Sequence, residues 1–453
     1  MIEALDLQEL QKITGGVLHG GNPSFTAVST DTRTLQKDDL FVALKGPRFN
    51  GNLFVAAAEQ RGACAALVSE PVATSLPVLV VADTRVALGQ LGAENRRRSR
   101  STVIALTGSQ GKTTIREMTA AVLACSGSVH STQGNLNNDI GVPLTLLQMS
   151  ARHSFAVIEL GANAPGEIAY TANLVRPDIA HISNIAPTHL EGFGSLEGVA
   201  SAKAELWSGL GEQGTAIINL DDPNIPGRLP AANALRKVTI SAKGQSDADY
   251  RLDGYEAMGL QGSAFMLHTP TGAVRVRLNL PGRHNAANAL AAASMAMEAG
   301  ATLEHVVQGL ASMQSVKGRL VTRNGIGGAT VLDDTYNASP SSFMAAIEVL
   351  CAQPGVRVLV AGDMGELGTQ AHSEHEALGH AARRKGIERF YATGELSRLG
   401  VAAFGEGAVH FATCEMLAEA LRPMLMPGVT VLVKGSRSAG MERVVKLITE
   451  EEG

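Results

Sequence analysis

From Thr102 to Thr114 the chain reads T-V-I-A-L-T-G-S-Q-G-K-T-T, an apolar run that ends in a turn with two glycines and then a lysine and two threonines. A strand entering such a turn, with a helix opening at the lysine, points backbone N–H groups at an anion and adds the partial positive charge of the helix start. Thr107, Gly108, Ser109, Gln110, Gly111, Lys112, Thr113 and Thr114 are therefore the candidate ATP-phosphate residues. Lys112 is placed to reach the terminal phosphates and the Thr113 hydroxyl to ligate Mg²⁺. The loop is shorter than the usual G-x-x-x-x-G-K-[ST] spacing, because Leu106 stands in the first glycine's place. A plain strand-to-helix turn with an exposed lysine is the competing reading.

Three further groups fall at strand ends or on a neighbouring helix. Glu159 closes the apolar run Phe155 to Leu160, where a Mg²⁺ on the phosphates needs an oxygen ligand. His189 follows the run through N-I-A-P-T, and Lys203 sits in an expected helix from Val199 to Leu210. A solvated carboxylate, a polar loop histidine and a surface lysine are the ordinary alternatives for the three.

The elements that must position these groups separate into three regions: 1–84, 85–316 and 317–453. The first has short strand-like runs at Leu40 to Leu44 and Val78 to Val81, divided by turns. After a helical, Arg-rich stretch (Glu94 to Arg100), the second alternates strands and helices. Its strands are Thr102 to Leu106, Phe155 to Leu160, Ile179 to Ile185 and Thr215 to Leu220. That alternation predicts an α/β fold with a mostly parallel sheet, whose ligands bind at the carboxyl ends of its strands. The third region, opening near V-K-G-R at Val316, predicts a hairpin over Leu320 to Leu332. Further strands are expected at Val356 to Ala361, Phe390 to Ala392 and Val429 to Val433.

Bulk composition narrows the function classes. A chain of 453 residues has length for about three domains. The net charge of −5 creates no field that would gather nucleic acid or anionic lipid. The cysteines, Cys64, Cys125, Cys351 and Cys414, are scattered without metal-ligand spacing, as expected of free thiols in a reducing compartment. The acidic start (M-I-E-A-L-D) is unlike a signal peptide, and the Ala-rich run from Ala286 to Met297 is too short to span a bilayer. A cytoplasmic protein without stable membrane insertion is expected.

Taken together, T-G-S-Q-G-K-T-T, Glu159, N-I-A-P-T-H-L-E (from Asn184), Lys203 in A-K-A-E-L, G-R-H-N-A-A-N-A (from Gly282) and Lys317-Gly318-Arg319 stand in a familiar order. Along essentially its whole length the chain resembles the Mur ligases, amide ligases of peptidoglycan precursor synthesis. The strings G-N-L-N-N-D-I-G-V-P-L-T-L-L (from Gly134), D-D-T-Y-N-A-S-P (from Asp333), G-D-M-G-E-L-G (from Gly362) and K-G-S-R-S-A-G-M-E (from Lys434) are most similar to the branch that adds D-alanyl-D-alanine. No D-N-P-R, the mark of the diaminopimelate-adding branch, is present. There are two departures. R-F-N-G-N-L-F (from Arg48) has Asn50 and Asn52 where relatives often have Asp and His, and Ser339 replaces the last Asn of D-D-x-Y-N-A-N-P.

The resemblance implies three domains: a small α/β domain that binds the UDP-sugar, a central P-loop ATPase domain and a C-terminal Rossmann-like domain. It implies an ATP-dependent ligase joining D-alanyl-D-alanine to a UDP-N-acetylmuramoyl tripeptide through an acyl phosphate, with ADP and phosphate released, acting as a monomer. Lys112, Glu159, His189 and Lys203 would be catalytic. Thr113 and Glu159 would hold one Mg²⁺, and His189 and a carbamoylated Lys203 a second. Asn288, Arg319 and Asp334 would face the nucleotide. Substrate contacts would come from Ser29, Thr30, Asp31 and Arg33, from Asn135, Asn137 and Asn138, and from Tyr336, Asn337 and Arg437. A ligase adding diaminopimelate, lysine or glutamate is the nearer alternative, and a P-loop NTPase without ligase chemistry the more distant one.

Overall fold

Val103 to Leu106 carry no polar side chain, so this strand is stable only when both of its faces are covered. In the computed structural model, which describes residues 1–47, 49–228 and 235–450, it lies inside a nine-stranded sheet. Arg48, the first residue of R-F-N-G-N-L-F, lies outside the described residues. Thr102–Thr107 is flanked in parallel by Phe155–Glu159 on one side and Ile179–Ile182 on the other. Val129–Ser131 completes one edge. The other continues in parallel through Thr215–Asn219, Arg236–Ser241 and Tyr250–Ala257. Ser263–Thr269 and Gly272–Leu278 then close the sheet as antiparallel strands.

Alternate side chains of the central strand enter different cores, as the two-residue repeat of a strand requires. Ile104 and Leu106 pack with Met118, Val122 and Leu290, on the face covered by helices Lys112–Ala124, Arg283–Glu298 and Leu303–Ala311. Val103 and Ala105 pack with Val142, Leu146, Ile168 and Trp207 on the opposite face. The Ala-rich run is a core helix, and among the described residues no helix is long and apolar enough to cross a membrane.

Several strand ends differ from expectation by one or two residues, and two larger differences bear on the site. The strand expected to reach Ile185 stops at Ile182, because Ser183 and Asn184 turn aside to hydrogen-bond the backbone of Gln110. The helix carrying Lys203 spans Leu196–Ala204 and tightens to a 3₁₀ turn over Glu205–Gly209.

The remaining sheets flank this one. Toward the amino terminus, five strands run in the order Val17–His19, Val78–Val80, Ala65–Val68, Leu40–Val42, Val28–Ser29. Helix Thr84–Arg98, capped by Asp83, leads from them to the central body. Toward the carboxyl terminus, the expected hairpin forms from Val321–Asn324 and Thr330–Asp334. Its second strand joins a parallel array of Val429–Lys434, Val356–Ala361, Arg389–Thr393 and Ala408–Phe411. Asp334 and Lys434 end adjacent strands in register, which sets both at the carboxyl edge.

Helix Lys112–Ala124 is held by a close approach. A Cβ added to Gly309 would lie 2.4 Å from the Cα of Val122, so helix Leu303–Ala311 can seat there only without a side chain. Gly309→Ala is expected to lower unfolding free energy by about 1–3 kcal/mol, as overpacking does. Urea unfolding of the two proteins measures it, and unchanged stability would mean that the helices have room to part.

Candidate functional site

The turn after Thr107 is fixed from below and open above. Thr107 is fully buried and donates its hydroxyl to Leu160 O at 2.7 Å. Gly111 has φ of +79°, and a Cβ there would meet Asn288 Oδ1 at 2.6 Å, so both backbone and space require glycine. Ser109 N donates to Asn184 O at 2.9 Å, and Gln110 N to Asn184 Oδ1 at 3.0 Å. Lys112 Nζ folds back on Gly108 O at 2.8 Å. Burial pushes this ammonium below the usual lysine range, Glu159 opposes that shift, and Arg319 adds to it. The lysine thus caps a carbonyl of its own loop.

Glu159 is buried at the end of its strand, with both oxygens engaged. Oε2 accepts from Arg116 Nη1 at 3.0 Å and Oε1 from Asn137 Nδ2 at 2.9 Å. Arg116 is itself buried, and its Nη1 also reaches Gly134 O at 3.0 Å. One guanidinium therefore joins the P-loop helix, the metal-ligand candidate and the Asn-rich turn. In that turn Asn135 faces the cavity, while Asn138 Oδ1 accepts from Gly141 N at 2.8 Å at the start of helix Gly141–Leu147.

His189 has φ of +52° and sits beside Glu366, with Nδ1 2.6 Å from Oε2. Burial, with Lys112 and then Lys203 nearby, holds its pKa down at about 4 and the ring neutral. Lys203 is almost fully buried, with Nζ 5.4 Å from the Phe193 ring centre. No carboxylate pairs with it among the described residues, and burial followed by Lys112 pushes its pKa down to about 7.

The carboxyl-terminal body supplies the opposite wall. Arg319 Nη2 donates to Thr113 Oγ1 at 3.0 Å, and its guanidinium lies 4.4 Å from the Tyr336 ring centre. Asp334 accepts from Lys434 Nζ at 2.7 Å and from Leu320 N at 3.1 Å. Lys434 also donates to Asn337 O at 2.8 Å. A cavity of about 380 Å³ gathers Ser109 to Thr114, Asn135, Asn137, Asn138, Glu159, His189, Asn288, Arg319, Asp334, Tyr336 and Asn337 on one surface.

Other candidates lie apart from it. Thr107 and Gly108 support the loop, and Lys203, beside Phe193, does not line the cavity. Arg437 is exposed and pairs with Glu442 at 3.3 Å. Asp31 and Arg33 form a surface ion pair at 2.6 Å, Ser29 Oγ donates to Asp31 O at 2.9 Å, and Thr30 lies between them. Asn50 and Asn52 bond to each other at 2.8 Å and onward to Glu70 and Ser69. Sequence reasoning overlooked Arg116 entirely. It quoted Glu366 and Lys434 inside motifs without giving them roles.

For Mg²⁺, the Glu159 carboxylate and the Thr113 hydroxyl are the hard oxygen donors such an ion prefers, and both line the cavity. Among the described residues no group of three His, Cys, Asp or Glu side chains could enclose a metal. An ion here would complete its shell with phosphate oxygens and water. Lys203 as an unmodified amine offers no oxygen at all.

Family models match residues 24–96 (Mur ligase family, catalytic domain), 106–296 (Mur ligase middle domain) and 318–437 (Mur ligase, glutamate ligase domain). The UDP-N-acetylmuramoyl-tripeptide–D-alanyl-D-alanine ligase of Escherichia coli K12 is 46% identical over 449 residues, 99% of each chain. A crystal structure of MurF from Acinetobacter baumannii superposes with a TM-score of 0.92 at 37% identity over 98% of each chain. MurF from Thermotoga maritima in complex with ADP does so with a TM-score of 0.83 at 29% identity, covering 93% of this chain and 96% of that one.

The Arg116–Glu159 pair sets up a stability test, since removing one member of a buried pair strands the other charge. Arg116→Met should cost about 3–5 kcal/mol, and adding Glu159→Leu should recover most of that. Chemical denaturation of the two variants checks it. If the double variant were no more stable than the single one, the pair would not be the source of the loss.

Proposed function

The chain belongs to the Mur ligase family, and we infer that it joins D-alanyl-D-alanine to a UDP-N-acetylmuramoyl tripeptide with ATP as phosphoryl donor. It is an ATP-dependent ligase of peptidoglycan precursor synthesis. The observation that carries the residue-level reading is the single cavity shared by the phosphate loop, Glu159, His189 and the carboxyl-terminal residues Arg319, Asp334 and Asn337. ATP and a UDP-linked precursor as substrates support a cytoplasmic location.

A carboxylate resists attack by an amine until one of its oxygens becomes a leaving group. The tripeptide's terminal carboxylate attacks the γ-phosphorus of ATP, giving an acyl phosphate and ADP. The dipeptide amine then attacks the carbonyl carbon, phosphate leaves, and the amine's surplus proton passes to solvent. The first step brings two anions together, so placing positive charge is the main catalytic requirement. Lys112 leaves Gly108 O for the β- and γ-phosphates, and the N–H groups of the loop hold the same oxygens. Arg319 moves from Thr113 toward phosphate, freeing that hydroxyl. Asn288 and Asp334 orient the nucleotide, Asp334 through ribose hydroxyls. Asn135, Asn137 and Asn138 offer neutral hydrogen bonds to the peptide of the acceptor, and Tyr336, Asn337 and Arg437 contact the dipeptide. Ser29, Thr30, Asp31 and Arg33 serve the UDP-sugar. Mg²⁺, when bound, supplies charge neutralisation and a template for in-line transfer. Thr113 and Glu159 would hold one ion, and His189 with modified Lys203 a second.

Each ADP released should be matched by one amide, with little ATP hydrolysis when either cosubstrate is absent. Coupled ADP detection alongside mass spectrometry of the product tests this. Brisk hydrolysis without acceptor would contradict the ligase reading.

Lys203 works as a carbamate. Its neutral Nζ amine adds to CO₂, forming an N–C bond and releasing one proton, which leaves a two-oxygen anion in place of the amine. The support is a buried lysine with no carboxylate partner among the described residues and a pKa pushed down to about 7, so neutral amine is available near neutral pH. Lys203→Ala is expected to be nearly inactive and to regain part of its rate with an added short carboxylic acid. In ¹³C-bicarbonate, wild type should show a carbamate resonance that the variant lacks. Full activity of Lys203→Ala would defeat the assignment.

A further inference from the structure

Among the described residues, five that are not glycine have positive φ, and two of these, His189 (+52°) and Glu366 (+62°), touch each other. They belong to different bodies, His189 to the central one and Glu366 to the G-D-M-G-E-L-G loop of the carboxyl-terminal one. The contact is double: His189 Nδ1 lies 2.6 Å from Glu366 Oε2, and Leu190 N donates to Glu366 O at 3.1 Å. Left-handed backbone at residues with side chains persists where the surroundings insist on it, and it gathers at functional sites. The Phe193 ring meets the imidazole edge-on at 6.4 Å, so ring and carboxylate restrain it from two directions. Both side chains line the cavity.

We propose that Glu366 is a positioning residue: from the carboxyl-terminal body it fixes the tautomer and aim of His189, and so completes the acceptor side of the active site only when that body is docked. A neutral imidazole keeps this contact by donating its Nδ1 proton to the carboxylate, which leaves Nε2 bare with its lone pair available. Catalytic and metal-bound histidines are generally oriented by such a carboxylate, which also raises their basicity. The loop motif thereby acquires a task in the chemistry, though Glu366 itself touches no reacting atom. The functional half of this inference rests on the role given to His189 above. The positioning half does not, because it concerns the protein alone.

The test uses the full-length chain labelled with ¹⁵N-histidine, without Mg²⁺ or nucleotide, with His189→Asn to assign the signal. Long-range ¹H–¹⁵N spectra should show His189 protonated at Nδ1 and bare at Nε2. In Glu366→Ala that preference should be lost, whereas Glu366→Gln, whose amide oxygen still accepts, should keep it. In steady-state assays Glu366→Ala should lose about 10- to 100-fold in kcat with the KM for ATP little changed, and Glu366→Gln should recover much of the rate. An Nε2-protonated His189 in wild type, or a Glu366→Ala protein with the wild-type tautomer, would overturn the proposal. A shifted tautomer with undiminished kcat would uphold the positioning contact and remove His189 from the reaction. Thermal unfolding of Glu366→Ala distinguishes these results from a folding defect, and Glu366→Gln carries the test if that variant is unstable.

Discussion

Positive charge gathered beneath one cavity is the condition on which the rest of this structure depends. Lys112 lowers the proton affinity of both His189 and Lys203, and Arg319 lowers that of Lys112 in turn. Among the described residues that line the cavity the one buried carboxylate, Glu159, is already committed to Arg116 and Asn137. Buried charge without a counter-charge destabilises a fold, so such a cluster persists only on a scaffold stable enough to carry it. Two packed faces on the central sheet provide that scaffold. The missing negative charge is of the kind a triphosphate and a carboxylate carry, so on the proposed reading substrate binding and electrostatic relief are the same event.

The same condition explains why the polar contacts are provisional. Lys112 rests on a backbone carbonyl and Arg319 on the Thr113 hydroxyl, neutral partners that a phosphate oxygen outcompetes. The Arg116–Glu159 contact is of another kind, a buried ion pair anchored as well to Gly134 O, and it fixes where the carboxylate stands. Movable cations and a fixed anion together allow a site that is ordered before its ligands arrive.

What could be read in the sequence was local. The phosphate loop was legible because an apolar strand, two glycines and a lysine at a helix start follow one another within thirteen residues, Thr102 to Thr114. The carboxyl-terminal hairpin was legible for the same reason. The strands from Tyr250 to Leu278 were passed over. Tyr250–Ala257 and Gly272–Leu278 mix exposed with buried positions toward the sheet's edge and lack the continuous apolar run of its centre, while Ser263–Thr269 between them is mostly buried. Arg116 was invisible because its partner stands 43 residues away, and nothing about an arginine on a helix announces a buried carboxylate. Lys434 meets Asp334 across 100 residues for the equally nonlocal reason that their strands are neighbours. Ser339 was noted as a departure from the family pattern, yet it stands at the N-cap of helix Pro340–Cys351, where Ser and Asn are about equally preferred. The change therefore leaves the helix start intact.

Ser339 also belongs to the seam between the central and carboxyl-terminal bodies, where Gln110 Nε2 donates to its hydroxyl at 2.8 Å. Arg319 on Thr113 and Glu366 on His189 cross the same seam. All three are polar contacts, and each joins a residue of one body to a candidate site residue or its neighbour in the other. Net hydrogen-bond contributions of about 0.5–1.5 kcal/mol hold such a seam far less firmly than an apolar core would. Polar interfaces of this kind permit relative domain motion. A reaction that makes a water-sensitive acyl phosphate yet must admit two large substrates needs that combination. Polar contacts of this size between the walls that carry the candidate residues suit both demands.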